Sequence, residues 1–222
     1  VPKLFIGNKN YSSWSMRPWL VLRWAAIPFD EVVIPLGGEG YGRGSIPAIR
    51  AVSPTGRVPA LHTDGGQVVT DSLAITMWAA DQSPRVWPGD PAARAHAFSA
   101  AAEMHSSFAG LRRDLSMNLR RRAEVDRSAL PNDTRADLDR VEALVGGLLS
   151  AHGGPWLCGE RSAADAFYAP VATRLRTYGV PTTAAMHRWM EQLFADADVQ
   201  AWEKAALHEP WSIGSTDALF GG

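Results

Sequence analysis

Cysteine is almost absent from these 222 residues: Cys158 stands alone, which excludes an internal disulfide framework and suits a reducing compartment, the cytoplasm by default. Long apolar runs are missing too, and none approaches the roughly 20 residues of a membrane span, so no membrane partner is expected. Val1-Pro2-Lys3-Leu4-Phe5-Ile6-Gly7 is too short an apolar stretch for a signal peptide and reads as running directly into a strand. Charge of one sign is lacking: 22 Lys and Arg against 23 Asp and Glu leave a net charge of -1, which removes the electrostatic case for nucleic acid. The six histidines, His62, His96, His105, His152, His187 and His208, fall at no metal-ligand spacing, and no metal is expected. The glycine-rich run from Gly37 to Gly44 lacks the G-x-G-x-x-G register, because position 45 is serine, and it opens no long helix. That excludes a dinucleotide site and leaves a mobile loop near the ligand. No internal repeat is present.

What is there divides in two. Lys3 to Gly7 reads as a short buried strand, and Trp14 to Ala26 as a helix that tolerates Pro18 only near its first turn. Phe29 to Ile34 is rich in β-branched residues, and a short helix is expected near Ser45 to Val52. Pro59 to Thr63 and Gln67 to Thr70 are strands joined by Asp64-Gly65-Gly66, a hairpin signal because positive φ is cheap for Gly, Asn and Asp. Ser72 to Asp81 is a helix capped by Asp71 or Ser72. The order β-α-β-α-β-β-α predicts a four-stranded mixed sheet flanked by helices.

The segment from Ser83 to Pro91 reads as a linker. Beyond it only helical periodicity remains: Phe98, Met104 or His105, Phe108, Leu111, Leu115 and Leu119; then Leu138 to Leu149; then Met186 to Leu193. The expected division is residues 1–82, an α/β domain; 83–91, the linker; and 92–222, an all-α bundle. Arg112, Arg113, Arg120, Arg121 and Arg122 interleave with Asp114, Glu124 and Asp126 and read as a solvated helix face.

Three segments carry chemistry. Tyr11-Ser12-Ser13-Trp14-Ser15 forms the first strand-to-helix turn, where unsatisfied N–H groups and the helix dipole stabilise an anion and a hydroxyl adds a directed hydrogen bond. Plain capping by these serines is the competing reading. In Ser53-Pro54-Thr55-Gly56-Arg57-Val58-Pro59, a cis Val58-Pro59 bond would present the Val58 backbone to a peptide ligand as an added strand. At Asp71-Ser72 an acid and a hydroxyl at a helix start could grip an ammonium and a carboxylate, or simply cap.

Together, in this order, the three resemble the thioredoxin-fold domain of the cytosolic glutathione S-transferases, in a serine-type, zeta-like, bacterial-type form. Ser12-Ser13-Trp14-Ser15-Met16-Arg17 is similar to the zeta motif, Ser53 to Leu61 to the family's Asn-Pro-x-Gly-x-Val-Pro-x-Leu, and Asp71-Ser72 to its acid-Ser pair. Pro155 to Asp165 is similar to the run before the family's buried central helix, with Ser162 and Asp165 as a capping box.

The resemblance implies a glutathione transferase that activates its thiol cosubstrate for attack on a small electrophilic or hydrophobic substrate. Conjugation, isomerisation and peroxide reduction are all open to such a thiolate, and the alternative is a non-catalytic ligand-binding or protein-interaction module. Ser12 would hydrogen-bond the sulfur, with Ser13 the adjacent candidate. Ser15, Arg43, Arg57, Val58, Pro59, Asp71 and Ser72 would hold glutathione. Tyr11, Trp14, Met104, His105, Phe108 and Arg112 would line the second-substrate pocket, and a homodimer is expected. Trp14 stands where zeta members have cysteine, so the pocket is bulkier and the analogy reaches the sulfur but leaves the substrate open. Without a cysteine in that turn, thiol exchange with the protein itself is not expected, and Cys158 reads as a packed residue.

Overall fold

The computed structural model describes residues 1–218. Strand β1 (Lys3–Ile6) buries Leu4 and Ile6 completely and lies parallel to β2 (Asp30–Val33), joined through helix α1 (Ser13–Trp24). Strands β3 (Ala60–His62) and β4 (Val68–Thr70) form the hairpin, with Gly66 at φ 81°, and β3 runs antiparallel to β1. The sheet order is β2-β1-β3-β4, flanked by α2 (Pro47–Arg50) and α3 (Ser72–Gln82). This is the expected mixed sheet, with most elements trimmed by a residue or two. Helix α1 ends at Trp24 because Ala26 takes φ 55°. Pro18 sits in the second turn of α1, not the first, so the Trp14 carbonyl has no amide four residues on.

The α/β elements end with α3, and a 3-10 turn at Pro84–Val86 leads to α4 (Pro91–Ser106), capped by Asp90. Helices α5 (Ala109–Asp114), α6 (Asn132–His152), α7 (Ala163–Thr177), α8 (Ala184–Phe194), α9 (Ala197–His208) and α10 (Gly214–Asp217) follow. The helix periodicity overran here. Phe108 adopts the left-handed region and breaks the chain between α4 and α5, and Leu115 and Leu119 are buried in an irregular segment. Arg120, Arg121 and Arg122 therefore lie on that segment, not on a helix face, while Arg113 is exposed and pairs with Asp114 and Asp133. No helix among the described residues is long and apolar enough to cross a membrane.

Helix α7 is the hub. Its residues from Ala163 to Leu175 are all buried, and α1 packs directly on it, so one apolar core runs through both halves. The capping box is present. Ser162 Oγ accepts from the Ala164 N–H, and Asp165 accepts from the Ser162 N–H at 3.1 Å. Cys158 is buried, and burial pushes its thiol up to about 12, which fits a packed, inert residue.

The helical half also holds the turn between β1 and α1. Glu209 accepts from the Lys9 N–H at 2.7 Å and the Asn10 N–H at 3.1 Å, and Trp202 donates to the Lys9 carbonyl at 3.1 Å. Asn10 donates to Asn118 at 2.9 Å and accepts from the Arg120 N–H at 2.9 Å. A loop that would otherwise leave its amides unsatisfied is thus fixed from the opposite half of the chain.

Candidate active site

The first turn faces a cleft of about 630 Å³. One wall is Tyr11, Ser12, Ser13 and Trp14; the other is the segment from Thr55 to Pro59, with Asp71 at the end. The Val58-Pro59 peptide is cis, and the Val58 N–H and C=O enter no backbone hydrogen bond among the described residues. Gly56 makes this wall possible. It sits at φ 66°, and a Cβ there would lie 2.0 Å from the Gly44 carbonyl oxygen. Gly56→Ala is therefore expected to destabilise the protein by at least about 2 kcal/mol through left-handed strain plus the clash. Denaturant unfolding beside wild type measures it, and an unchanged midpoint would contradict the close approach of the two loops.

The three serines of the turn have different work. Ser15 is wholly buried; its Oγ accepts from the Gly7 N–H at 3.1 Å and from Ser12 Oγ at 2.7 Å. It ties α1 to β1 and is not on the cleft wall. Ser12 is the N-cap of α1, accepting weakly from the Ser15 N–H at 3.4 Å while its own hydrogen goes to Ser15. Ser13 accepts from Arg174 Nη2 at 3.1 Å and donates to nothing among the described residues. Its hydrogen remains available to a ligand.

Asp71 caps α3 at φ 84°, accepts from the Leu73 N–H at 2.7 Å and is half-exposed in the cleft. Ser72 is wholly buried with its hydroxyl unpartnered and does not line the cleft. Arg57 lines the cleft from an exposed position; Arg43, also exposed, does not.

Among the residues expected around a second substrate, Trp14 and Tyr11 line the cleft, and with Arg112 they also line an adjoining cavity of about 180 Å³. Met104 and Phe108 are buried in the core and reach neither space. His105 meets the Trp14 ring edge-on, centroids 5.4 Å apart, with Nδ1 3.7 Å from Asp71. Tyr11 donates to Asp217 at 3.0 Å, and burial, joined by that carboxylate, holds its phenol above the ordinary value. The Tyr11 hydroxyl hydrogen is thereby committed to Asp217.

The sequence reading missed Arg174 and the role of Arg17. Arg174 comes from α7, 161 positions beyond the serine it bonds, and no local pattern marks that pairing. Burial, then the charge of Arg112, pushes Arg174 down to about 9. Arg17 is wholly buried beside Trp14 and is held well below the usual arginine value, chiefly by burial and then by Arg112 and Arg174.

The chain is thus a two-part protein. A thioredoxin-like sheet presents a capped helix start and an open Val-Pro backbone along the cleft, and the helical half lines the cavity that adjoins it. Residues 11–82 match the glutathione S-transferase N-terminal domain family. A maleylacetoacetate isomerase of Pseudomonas aeruginosa is 28% identical over 189 residues, covering 82% of this chain and 85% of that one. Glutathione S-transferase GST-4.5 of Xanthomonas campestris is 28% identical over 197 residues, covering 84% and 91% respectively. A Sulfitobacter glutathione transferase homolog, solved with bound glutathione, superposes with a TM-score of 0.65 at 25% identity, covering 92% and 97%. Residues 11–82 thus form a glutathione S-transferase N-terminal domain, and most of the chain is similar to glutathione S-transferases.

Proposed function

We propose that this protein binds glutathione in the 630 Å³ cleft and activates its thiol for attack on a small electrophile. The observation that carries the proposal is the Ser13 hydroxyl. It is held by Arg174 at the N-terminal end of α1 with its own hydrogen uncommitted. The sulfur accepts that hydrogen, Val58 pairs with the cysteinyl backbone beside Pro59, and Asp71 takes the γ-glutamyl ammonium. Arg57, which lines the cleft, takes the glycyl carboxylate. Ser12 comes first in the motif, but the hydrogen bond it gives to Ser15 favours Ser13 as the donor to sulfur.

The energetics are adequate. A thiol of pKa about 8.5 is only a few per cent ionised at neutral pH, and lowering it by two units needs about 2.7 kcal/mol of selective anion stabilisation. A charge-assisted hydrogen bond contributes about 1.5–3 kcal/mol and the helix dipole about 0.3–1. The field of Arg174 adds to both, since it bonds the same hydroxyl.

Conjugation is the reaction put first. Isomerisation is a second route for the same thiolate, favoured by the likeness to the Pseudomonas isomerase. A cytoplasmic homodimer with a linker at 83–91 between residues 1–82 and 92–222 completes the proposal. Following thiolate absorbance while glutathione is titrated into the protein at neutral pH tests it. A thiolate band that saturates with binding is expected; binding without that band would make the chain a ligand-binding module.

A further inference from the structure

Three guanidinium groups converge beside Trp14, and none has a carboxylate partner among the described residues. The Arg17 guanidinium carbon lies 4.3 Å from the Trp14 ring centroid, and that of Arg112 lies 4.8 Å from the same ring. All three side-chain nitrogens of Arg17 are buried without a hydrogen-bond partner. Arg174 is 4% exposed; it donates to Ser13 and, at 3.3 Å, to the Pro170 carbonyl, and leaves Nε unpartnered. Arg112 donates to the carbonyls of Ser107 and Met104 and leaves Nη1 unpartnered. Asp71 and Asp137, the acids that act on Arg17 and Arg112, do so without an ion pair, and Asp137 is occupied by the Leu111 N–H at 2.9 Å.

Such an arrangement is expensive by itself. Buried charges are ordinarily paired, and like charges in a low-dielectric interior repel. Stacking on Trp14 offsets only part of that cost, and only for Arg17 and Arg112. The compensating group that is missing is an anion, and there is room for one. Arg112 and Arg174 line the 180 Å³ cavity together with Ser116, and Ser13, Trp14 and Tyr41 line both this cavity and the main cleft. An anion bound there would sit on the helical-bundle side of Ser13, next to the position assigned to the sulfur.

We propose that this cavity receives the carboxylate of an aromatic electrophile, so that the second substrate of the enzyme is acidic. The inference rests on the glutathione reading for the position of the sulfur but not for the anion site itself. Tyr11, Trp14 and Tyr41 supply faces for the ring, and the planar guanidiniums of Arg112 and Arg174 match a carboxylate. With a chloronitrobenzoate, the thiolate attacks the chlorine-bearing carbon and the C–S bond forms. The C–Cl bond then breaks, chloride leaves with the electron pair, and the thiol proton goes to water.

Binding of 3-nitrobenzoate and of methyl 3-nitrobenzoate to the glutathione-free protein, read through tryptophan fluorescence, tests the site. The acid is expected to bind at least tenfold more tightly than the ester, and Arg112→Met or Arg174→Met to remove that preference. Equal binding in wild type overturns the proposal, and this comparison stands even if the buried Arg174 variant does not fold. A preference that survives in a folded variant also overturns it. So does competition between 3-nitrobenzoate and glutathione, which would place the glycyl carboxylate on these arginines. With glutathione present, 4-chloro-3-nitrobenzoate should be accelerated over its uncatalysed rate more than its methyl ester. Thiolate absorbance reports separately on the activation of glutathione, so a failure of that reading is distinguishable from a failure of this one.

Discussion

Replacing Ser13 by alanine is expected to lower kcat/KM for glutathione conjugation by about 100-fold, the usual loss when one preorganised donor to a developing or bound anion is removed. Glutathione should still bind, because Val58, Arg57 and Asp71 are untouched. The thiol pKa in the complex should rise toward the ordinary 8.5, read as a shift of the thiolate absorbance titration. Ser12→Ala provides the contrast. It removes the N-cap of α1 and the bond to Ser15, at a cost of about 1 kcal/mol in stability, and should retain the thiolate. If the thiolate is lost in Ser12→Ala and kept in Ser13→Ala, the donor is Ser12 and the assignment made here is wrong. Loss in neither variant would leave the helix start and the arginines to do the work without a hydroxyl.

The second large effect concerns Asp165, which lines neither the cleft nor the adjoining cavity. Its carboxylate, wholly buried, accepts from the Leu157 N–H at 3.0 Å, the Ser162 N–H at 3.1 Å and the Trp189 indole at 3.0 Å. Asp165→Ala orphans three buried donors at about 1–3 kcal/mol each, a total comparable with the whole stability of many domains. A melting temperature lower by about 10 °C or more, or no soluble protein, is the expected outcome. A drop of only 1 or 2 °C (roughly what a surface change gives) would mean that water reaches these donors.

Protonation of the same group should be visible. Burial outweighs the three donors and raises Asp165 from 3.8 to about 6. Because the folded value lies above the unfolded one, its contribution is present below about pH 4 and is lost as the pH rises through about 6. Asp165→Asn, which cannot ionise, should flatten that part of the stability profile.

Local pattern was enough for much of this protein. The hairpin was legible in Asp64-Gly65-Gly66, the α7 cap in Ser162 and Asp165, and the cleft in the order of Ser12-Ser13, Val58-Pro59 and Asp71, since turns, caps and helix starts depend on neighbouring residues. Periodicity failed where a single backbone conformation at Phe108 ended a helix that the apolar spacing continued. Ser72 and Met104 matched or suited the site by position, yet lie buried off the cleft, because burial depends on what packs against a residue.

The sequence by itself determined that a hydroxyl-rich strand-to-helix turn exists and which hydroxyls it offers. Only the tertiary structure decided how those hydroxyls differ. Ser12 spends its hydrogen on Ser15, while Ser13 meets an arginine from a helix 161 residues away. Likewise, Arg112 read in one dimension both as solvated and as lining a pocket, and became the half-buried member of a cationic cluster once α1, α5 and α7 met around Trp14. The physical reason is the same in both cases. Hydrogen-bond availability and charge compensation are settled by groups close in space, and the packing of α1 on α7 joins groups that no spacing along the chain relates.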